Sequence, residues 1–271
     1  MKILNDKLTN SLEANDYKSF ANAKPFPYVV IDNFLNEDAA NKLLEEHTSV
    51  VDWNHYNHFN ERKMATAQFE DFGPHTQEIV SKLQSESFLK YLSNLTGISD
   101  LLPDPNLDGG GLHRIKSGGF LNIHADYQSH PTNTHWSREL NLLLYLNKDW
   151  HDEWNGNLEL WNSSMTESVV SVKPIFNRCV IFRTSSDSFH GHPVPLACPE
   201  DQYRKSLALY YFKEHADFLS VESTAYKALP SDTLPTKFMI HADSALVRAY
   251  TYLKRYSPID DKLISRILRR F

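Results

Sequence analysis

Apolar residues alternate with polar ones through the middle of the chain and recur at helical spacing toward its ends. Behind Pro25-Phe26-Pro27, the β-branched run Tyr28-Val29-Val30-Ile31 predicts a strand. Asn36, followed by Glu37 and Asp38, predicts the cap of a helix reaching Glu45, because its side chain can take up a free N–H of the first turn and the two carboxylates suit a helix N-terminus. From Gln77 to Asn94, Ile79, Leu83, Phe88 and Leu92, with Leu95 just beyond, predict one amphipathic helix, and Gly97 stands where it ends. Beyond Pro105 the pattern changes to short strands: Gly111–Ile115, Phe120–Ala125, Leu140–Leu146, Leu158–Trp161, Val169–Val172, Cys179–Phe182 and Ser206–Phe212. Ser117-Gly118-Gly119, Asn155-Gly156-Asn157, Lys173-Pro174 and Gly191-His192-Pro193 supply the turns. From Thr236 helical spacing returns as a stripe of Leu246, Ala249, Tyr250 and Leu253, then a second of Ile264, Ile267, Leu268 and Phe271.

Strands in succession, without β–α–β alternation, predict an α+β chain whose mainly β core is a double-sheet roll or barrel. Three segments follow: 1–105 with a strand and helices packed on the core, 106–220 as the core, and 221–271 as a C-terminal helical extension capping it. The aromatic content of 12% fits a packed domain and not a disordered chain. No apolar run is long enough for a membrane span, and the polar N-terminus does not read as a signal peptide. Cys179 and Cys198 form neither a disulfide framework nor a zinc motif, so a cytoplasmic location is expected. A net charge of −6 argues against nucleic acid as a partner. Seven Lys/Arg against two Asp make residues 248–271 a +5 tail on a −11 body. That tail is a candidate for packing on the body, for a homodimer contact or for a membrane-surface helix.

The chemistry starts in Phe120–Asp126. Residues two apart on a strand share a face, so His124 and Asp126 converge while Leu121, Ile123 and Ala125 point the other way. One imidazole and one carboxylate cover part of a metal's coordination sphere. Two histidines and one carboxylate on one face leave open positions, the arrangement of non-haem iron(II) oxygenases. His241-Ala242-Asp243 repeats the pattern but lies in a helical segment, where the two residues diverge, and reads as a coincidence or a cap. A histidine pair, His190 and His192, follows the strand that begins at Phe176. Arg204 heads an otherwise apolar strand, a costly place for an unpaired cation, and its guanidinium fork suits a carboxylate.

These blocks resemble the prolyl 4-hydroxylase type of iron(II)/2-oxoglutarate oxygenase over about residues 111–212. His124-Ala125-Asp126, Tyr145-Leu146-Asn147-Lys148-Asp149-Trp150, Asn155-Gly156-Asn157-Leu158-Glu159-Leu160-Trp161, Phe176–His190 and Arg204–Phe212 follow in the family's order. The resemblance implies a double-stranded β-helix of the jelly-roll, cupin-like kind. It implies His124, Asp126 and His190 as iron ligands and catalytic residues. Arg204 becomes the partner of the 2-oxoglutarate C5 carboxylate, with Tyr145 beside it. Asn141 and Leu143 share the Tyr145 face of their strand and line the cofactor pocket, and Leu158 is an apolar wall. Asn155 replaces the first glycine of the family's Gly-Gly turn, and Arg114 and Leu121 stand where prolyl hydroxylases often carry tyrosine.

The implied activity is hydroxylation of an unactivated C–H with O2, coupled to decarboxylation of 2-oxoglutarate to succinate and CO2. A carboxylate ligand at Asp126 favours hydroxylation over halogenation. A prolyl or other peptide residue is one candidate substrate, and a small metabolite, lipid or glycan precursor is another. The alternative class is a non-redox metal-binding roll, either a zinc hydrolase or a binding module. His192 is a candidate support for the metal site or substrate contact. Trp53, Tyr56, Lys63 and Trp136 are candidates for the substrate rim. His113, His130 and His135 read as surface-loop residues, and Cys179 as an inert core thiol.

Overall fold

Each predicted strand takes its place in one curled antiparallel sheet, seen in a computed structural model that describes residues 2–5, 14–220 and 223–256. The strands are β1 (Tyr28–Ile31), β2 (Asn54–His58), β3 (Glu61–Thr66), β4 (Leu102–Pro103), β5 (Gly111–Ile115), β6 (Phe120–Ala125) and β7 (Trp136–Tyr145), then β8 (Leu158–Trp161), β9 (Ser168–Val172), β10 (Cys179–Arg183), β11 (His190–His192), β12 (Arg204–Glu214) and β13 (Ala225–Tyr226). Their order is β1-β10-β7-β12-β5-β3-β6-β11-β8-β9, with β2 on β3, β4 on β12 and β13 on β6. The path folds over itself as a jelly roll, bringing β7, β10 and β12 opposite β6, β8 and β11. The described helices are α1 (Ala14–Asn22), α2 (Glu37–Ser49), α3 (Pro74–Leu83), α4 (Glu86–Thr96) and α5 (Leu234–Tyr256).

Two apolar layers follow from strand alternation. Leu140, Leu142 and Leu144 of β7, Cys179 and Ile181 of β10, and Leu207 and Leu209 of β12 point outward into the larger core. There they meet Leu43 of α2, Ile79 and Leu83 of α3, and Phe88 and Leu92 of α4. Leu142 is fully buried, and truncating it to Ala would cost about 2–5 kcal/mol. The opposite faces carry Tyr145, Val180 and Phe182, which meet Leu158, Leu160 and Val172 inside the roll. This inner layer is the floor of the site.

Local signals set the helix ends. Asn36 caps α2 by accepting from the Asp38 N–H at 3.1 Å. The segment read as one helix from Gln77 is two, because Ser85 accepts the Phe88 N–H and starts α4 afresh after Gln84 closes α3. Gly97 ends α4 in the left-handed region at φ 73°. The hairpin β2–β3 has no strong apolar alternation, yet β3 inserts between β5 and β6.

The helix α5 docks differently from its sequence stripe. Among its described side chains Ile240 and Asp243 are buried, whereas Leu246 is 70% exposed and Phe238 71%. Asp243 is thus an anchor rather than a cap or a coincidence: it accepts from His58 Nδ1 at 2.7 Å and Asn60 Nδ2 at 2.6 Å. The Ile264–Phe271 stripe lies outside the described residues. Among the described residues no helix is long and apolar enough to cross a membrane.

Candidate active site

The strands β6 and β11 lie side by side with His190 opposite His124. The imidazole rings stand 4.4 Å apart between centroids, and Asp126 completes the group. His124 Nε2 is 3.5 Å from Asp126 Oδ1, and His190 Nε2 is 3.3 Å from Oδ2. Each ring's other nitrogen faces a backbone carbonyl: His124 Nδ1 donates to Asn122 O at 2.8 Å and His190 Nδ1 to Ser188 O at 2.9 Å. A carbonyl can only accept, so Nδ1 carries the proton and a neutral ring presents its Nε2 lone pair. Burial, aided by the neighbouring His124, holds His190 below the usual histidine range. Burial opposes charge on Asp126, but the neighbouring Arg138 guanidinium outweighs it and keeps the carboxyl well below its ordinary range. In their neutral form the two rings turn Nε2 lone pairs toward one carboxylate. That contact is repulsive unless a cation lies between them, and cis donors around an ion at metal–ligand distance lie about 3 Å apart. The donor set of two imidazoles and one carboxylate suits ferrous iron with positions left open.

Arg138, which sequence alternation does not reveal, steadies the carboxylate. Its Nη2 donates to Asp126 Oδ2 at 3.1 Å and its Nε to Asn141 Oδ1 at 2.7 Å. Asn141 Nδ2 donates to the same Asp126 oxygen at 2.6 Å. The guanidinium lies 4.7 and 3.3 Å from the ring centroids of Tyr127 and Tyr210, which stand perpendicular to each other. Alternation alone would put Arg138 on the Leu140 face. The register with β12 shifts between Tyr211, opposite Leu140, and Phe212, opposite Arg138. Glu139 is the extra residue, and the bulge turns Arg138 inward.

Asn141, Leu143 and Tyr145 line one inner face of β7, from the triad toward Arg204. Asn141 touches Asp126, Leu143 packs with Leu158 and Phe182, and Tyr145 lies beneath Arg204. Arg204, 6% exposed, donates from Nε to Gly156 O at 2.7 Å and from Nη2 to the Tyr145 hydroxyl at 3.3 Å. No carboxylate pairs with it among the described residues. Burial raises the Tyr145 hydroxyl pKa against the pull of Arg204, so it stays a neutral donor. At Gly156, with φ +81°, a Cβ would meet Leu196 Cδ2 at 2.5 Å and Arg204 Cδ at 3.1 Å. Asn155 takes φ 59°, so the turn keeps a positive angle without its first glycine.

The C-terminal segment closes one side. At β13, Ala225 and Tyr226 pair with Ala125 and His124. The Tyr226 ring lies 5.5 Å from that of His124 and 6.0 Å from that of His58. His58 bridges Glu61 and Asp243, and Lys63 pairs with Glu61 at 3.0 Å.

Several expected rim and surface residues lie elsewhere. Trp53 is core, its indole donating to Val50 O at 2.9 Å, and Trp136 packs on His130 and Phe212. His130 is fully buried, and His113 lies on β5 with Nε2 3.2 Å from Gly110 O. A second acidic cluster, Asp104, Asp108 and His130, resembles a metal site in composition. Its tautomer argues otherwise. His130 Nδ1 accepts from the Thr132 and Asn133 N–H groups at 3.1 and 2.9 Å, so the proton sits on Nε2, 3.5 Å from Asp104 Oδ2.

Residues 110–225 match the family model of the 2OG-Fe(II) oxygenase superfamily. They span the triad, Tyr145 and Arg204, and over these residues the chain is similar to that superfamily. The chain resembles the prolyl 4-hydroxylase type, an oxidoreductase class that works with Fe(II), 2-oxoglutarate and O2. No curated protein matches the chain. Among solved structures, a Trichoplax adhaerens prolyl hydroxylase, in complex with a hypoxia inducible factor oxygen degradation domain peptide, shares the fold with TM-score 0.54 and 17% identity, over 73% of this chain and 88% of that one. A Pseudomonas putida prolyl-4-hydroxylase gives 0.54 and 15% over 74% and 99%. HygX from Streptomyces hygroscopicus, holding nickel, 2-oxoglutarate and hygromycin B, gives 0.52 and 12% over 80% and 98%.

Proposed function

We propose that His124, Asp126 and His190 hold Fe(II), and that Arg204 and Tyr145 hold the C5 carboxylate of 2-oxoglutarate, for hydroxylation of an aliphatic C–H. The observation that carries this reading is the approach of both imidazole Nε2 atoms to one carboxylate, at 3.5 and 3.3 Å, with both Nδ1 atoms turned to backbone carbonyls. Bound iron supplies oxygen activation coupled to decarboxylation of the cosubstrate to succinate and CO2. The protein's own residues position and shield. Arg138 and Asn141 fix the rotamer of Asp126 and keep it ionised. Arg204, without a carboxylate partner of its own, offers a buried cation for the cosubstrate's far end. Leu143, Leu158 and Phe182 keep water from the inner wall.

The strand β13, paired alongside His124 and backed by the Tyr226 ring, supports a compact substrate. A peptide, a prolyl residue included, is the competing reading, supported by the peptide complex of the Trichoplax neighbour. The two buried free cysteines suit a reducing compartment, and a cytoplasmic location is proposed on that ground. The test is succinate formation by purified protein with Fe(II), 2-oxoglutarate and O2 across peptides and small aliphatic compounds. Substrate-dependent, oxygen-dependent succinate is expected. No succinate with Fe(II) for any of these compounds, together with hydrolysis of one of them by the Zn(II)-loaded protein, would replace the oxygenase reading with a hydrolase.

A further inference from the structure

Among the described residues, one buried polar side chain inside the roll has no hydrogen-bond partner. His192 is 3% exposed, and neither of its ring nitrogens has a hydrogen-bond partner among the described residues. An imidazole in any state carries at least one N–H, and a buried donor left unpaired is costly. His192 sits on β11 beyond His190, where the register with β6 shifts from His190 opposite His124 to His192 opposite Leu121. The groups nearest to act on it are the cations Arg204 and Lys63 and the ring of His124. Lys63 is already matched by Glu61, and His124 belongs to the metal group. Arg204 remains as the cation awaiting an anion, and the acceptor His192 lacks is the one Arg204 lacks.

We infer that His192 is a cosubstrate-positioning residue, donating an N–H to the carboxylate of 2-oxoglutarate that Arg204 holds. This rests on the oxygenase reading above. The carboxylate then takes three anchors from three strands: Arg204 from β12, Tyr145 from β7 and His192 from β11. An apolar residue at position 192 would close the same wall but leave that oxygen one donor short.

The test is calorimetric titration of the full chain, loaded with Mn(II), with 2-oxoglutarate and with pyruvate, which lacks the distal carboxylate. His192→Val should bind 2-oxoglutarate about tenfold more weakly or worse. His192→Gln, which keeps an N–H donor, should stay within about threefold of the wild type. Mn(II) affinity and pyruvate affinity should be unchanged in both variants. Wild-type affinity for 2-oxoglutarate in His192→Val, or an equal loss of pyruvate, would overturn the inference while leaving the oxygenase reading intact. A wild-type protein that binds Mn(II) but not 2-oxoglutarate would overturn both. Should His192→Val fail to fold, a wild-type crystal structure with Mn(II) and 2-oxoglutarate decides. A His192 nitrogen within hydrogen-bond distance of the distal carboxylate is expected, and a ring still unpartnered or bonded elsewhere contradicts it.

Discussion

Replacing Arg204 with Met separates cosubstrate binding from stability. Methionine fills much of the space of the arginine stem but removes the guanidinium. The cosubstrate carboxylate then loses a charge-assisted pair whose contacts contribute about 1.5–3 kcal/mol each. A loss of about 3 kcal/mol is more than a hundredfold in Kd. The folded protein loses less. Gly156 O gives up its 2.7 Å donor and the Tyr145 hydroxyl its neighbour, but a buried cation without a carboxylate is also removed. These effects oppose each other, so the melting temperature should move by no more than about 5 °C. Calorimetry with Mn(II), then with 2-oxoglutarate on the Mn(II)-loaded protein, gives both affinities, and circular dichroism gives the melt. Unchanged metal affinity with a hundredfold loss of 2-oxoglutarate is expected. Parallel loss of both ligands with a large drop in melting temperature would show that Arg204 is a structural residue and refute the reasoning.

Tyr145→Phe removes one hydroxyl from the same anchor and should weaken 2-oxoglutarate binding about fivefold to tenfold in the same titration, with no change in metal affinity. Asp126→Asn replaces the charged ligand and leaves Arg138 without its carboxylate, so Mn(II) binding should fall below detection in calorimetry while the protein remains folded. Metal analysis should give one ion per chain, because His130 keeps a proton on Nε2, and a second tight site at Asp104 and Asp108 would contradict that tautomer. The pH dependence follows from His58. Burial works against its charge, but Asp243 and Glu61 outweigh this and raise its pKa from 6.5 to about 9. The folded state therefore holds this proton more tightly than the unfolded chain. Its stabilisation is complete below pH about 6.5 and is lost as pH rises through about 9. Thermal melts from pH 6 to pH 10 should show the wild type losing stability over that window and His58→Gln losing much less.

Much of the roll was legible because its signals are local. Tyr28–Ile31, Gly111–Ile115, Phe120–Ala125 and Leu158–Trp161 become strands with the expected bounds, and Asn36 and Gly97 sit at helix ends as their chemistry requires. The convergence of His124 and Asp126 follows from alternation alone, while the approach of His190 depends on pairing across 66 residues of chain and came from the family resemblance. What stayed hidden was non-local. Strand β3 carries Glu61 and Lys63 on one face because its neighbours are charged partners, which no apolar pattern announces. Arg138 reaches Asp126 through a bulge, and a bulge reverses the alternation that a sequence reading relies on. Ser85 is a helix start written in the sequence, but the continuous apolar stripe from Ile79 to Leu92 masks it. His58 and Asp243 lie 185 residues apart, and only the docking of α5 joins them.

The central claim is that two imidazole lone pairs and one carboxylate grip ferrous iron with positions left for a chelating 2-oxo acid. The direct measurement is anaerobic absorbance of the Fe(II)-loaded protein titrated with 2-oxoglutarate. A metal-to-ligand charge-transfer band that grows to one equivalent, and fails to form in Asp126→Asn, is the predicted result. Iron bound at this site with no such band at saturating 2-oxoglutarate would contradict the account.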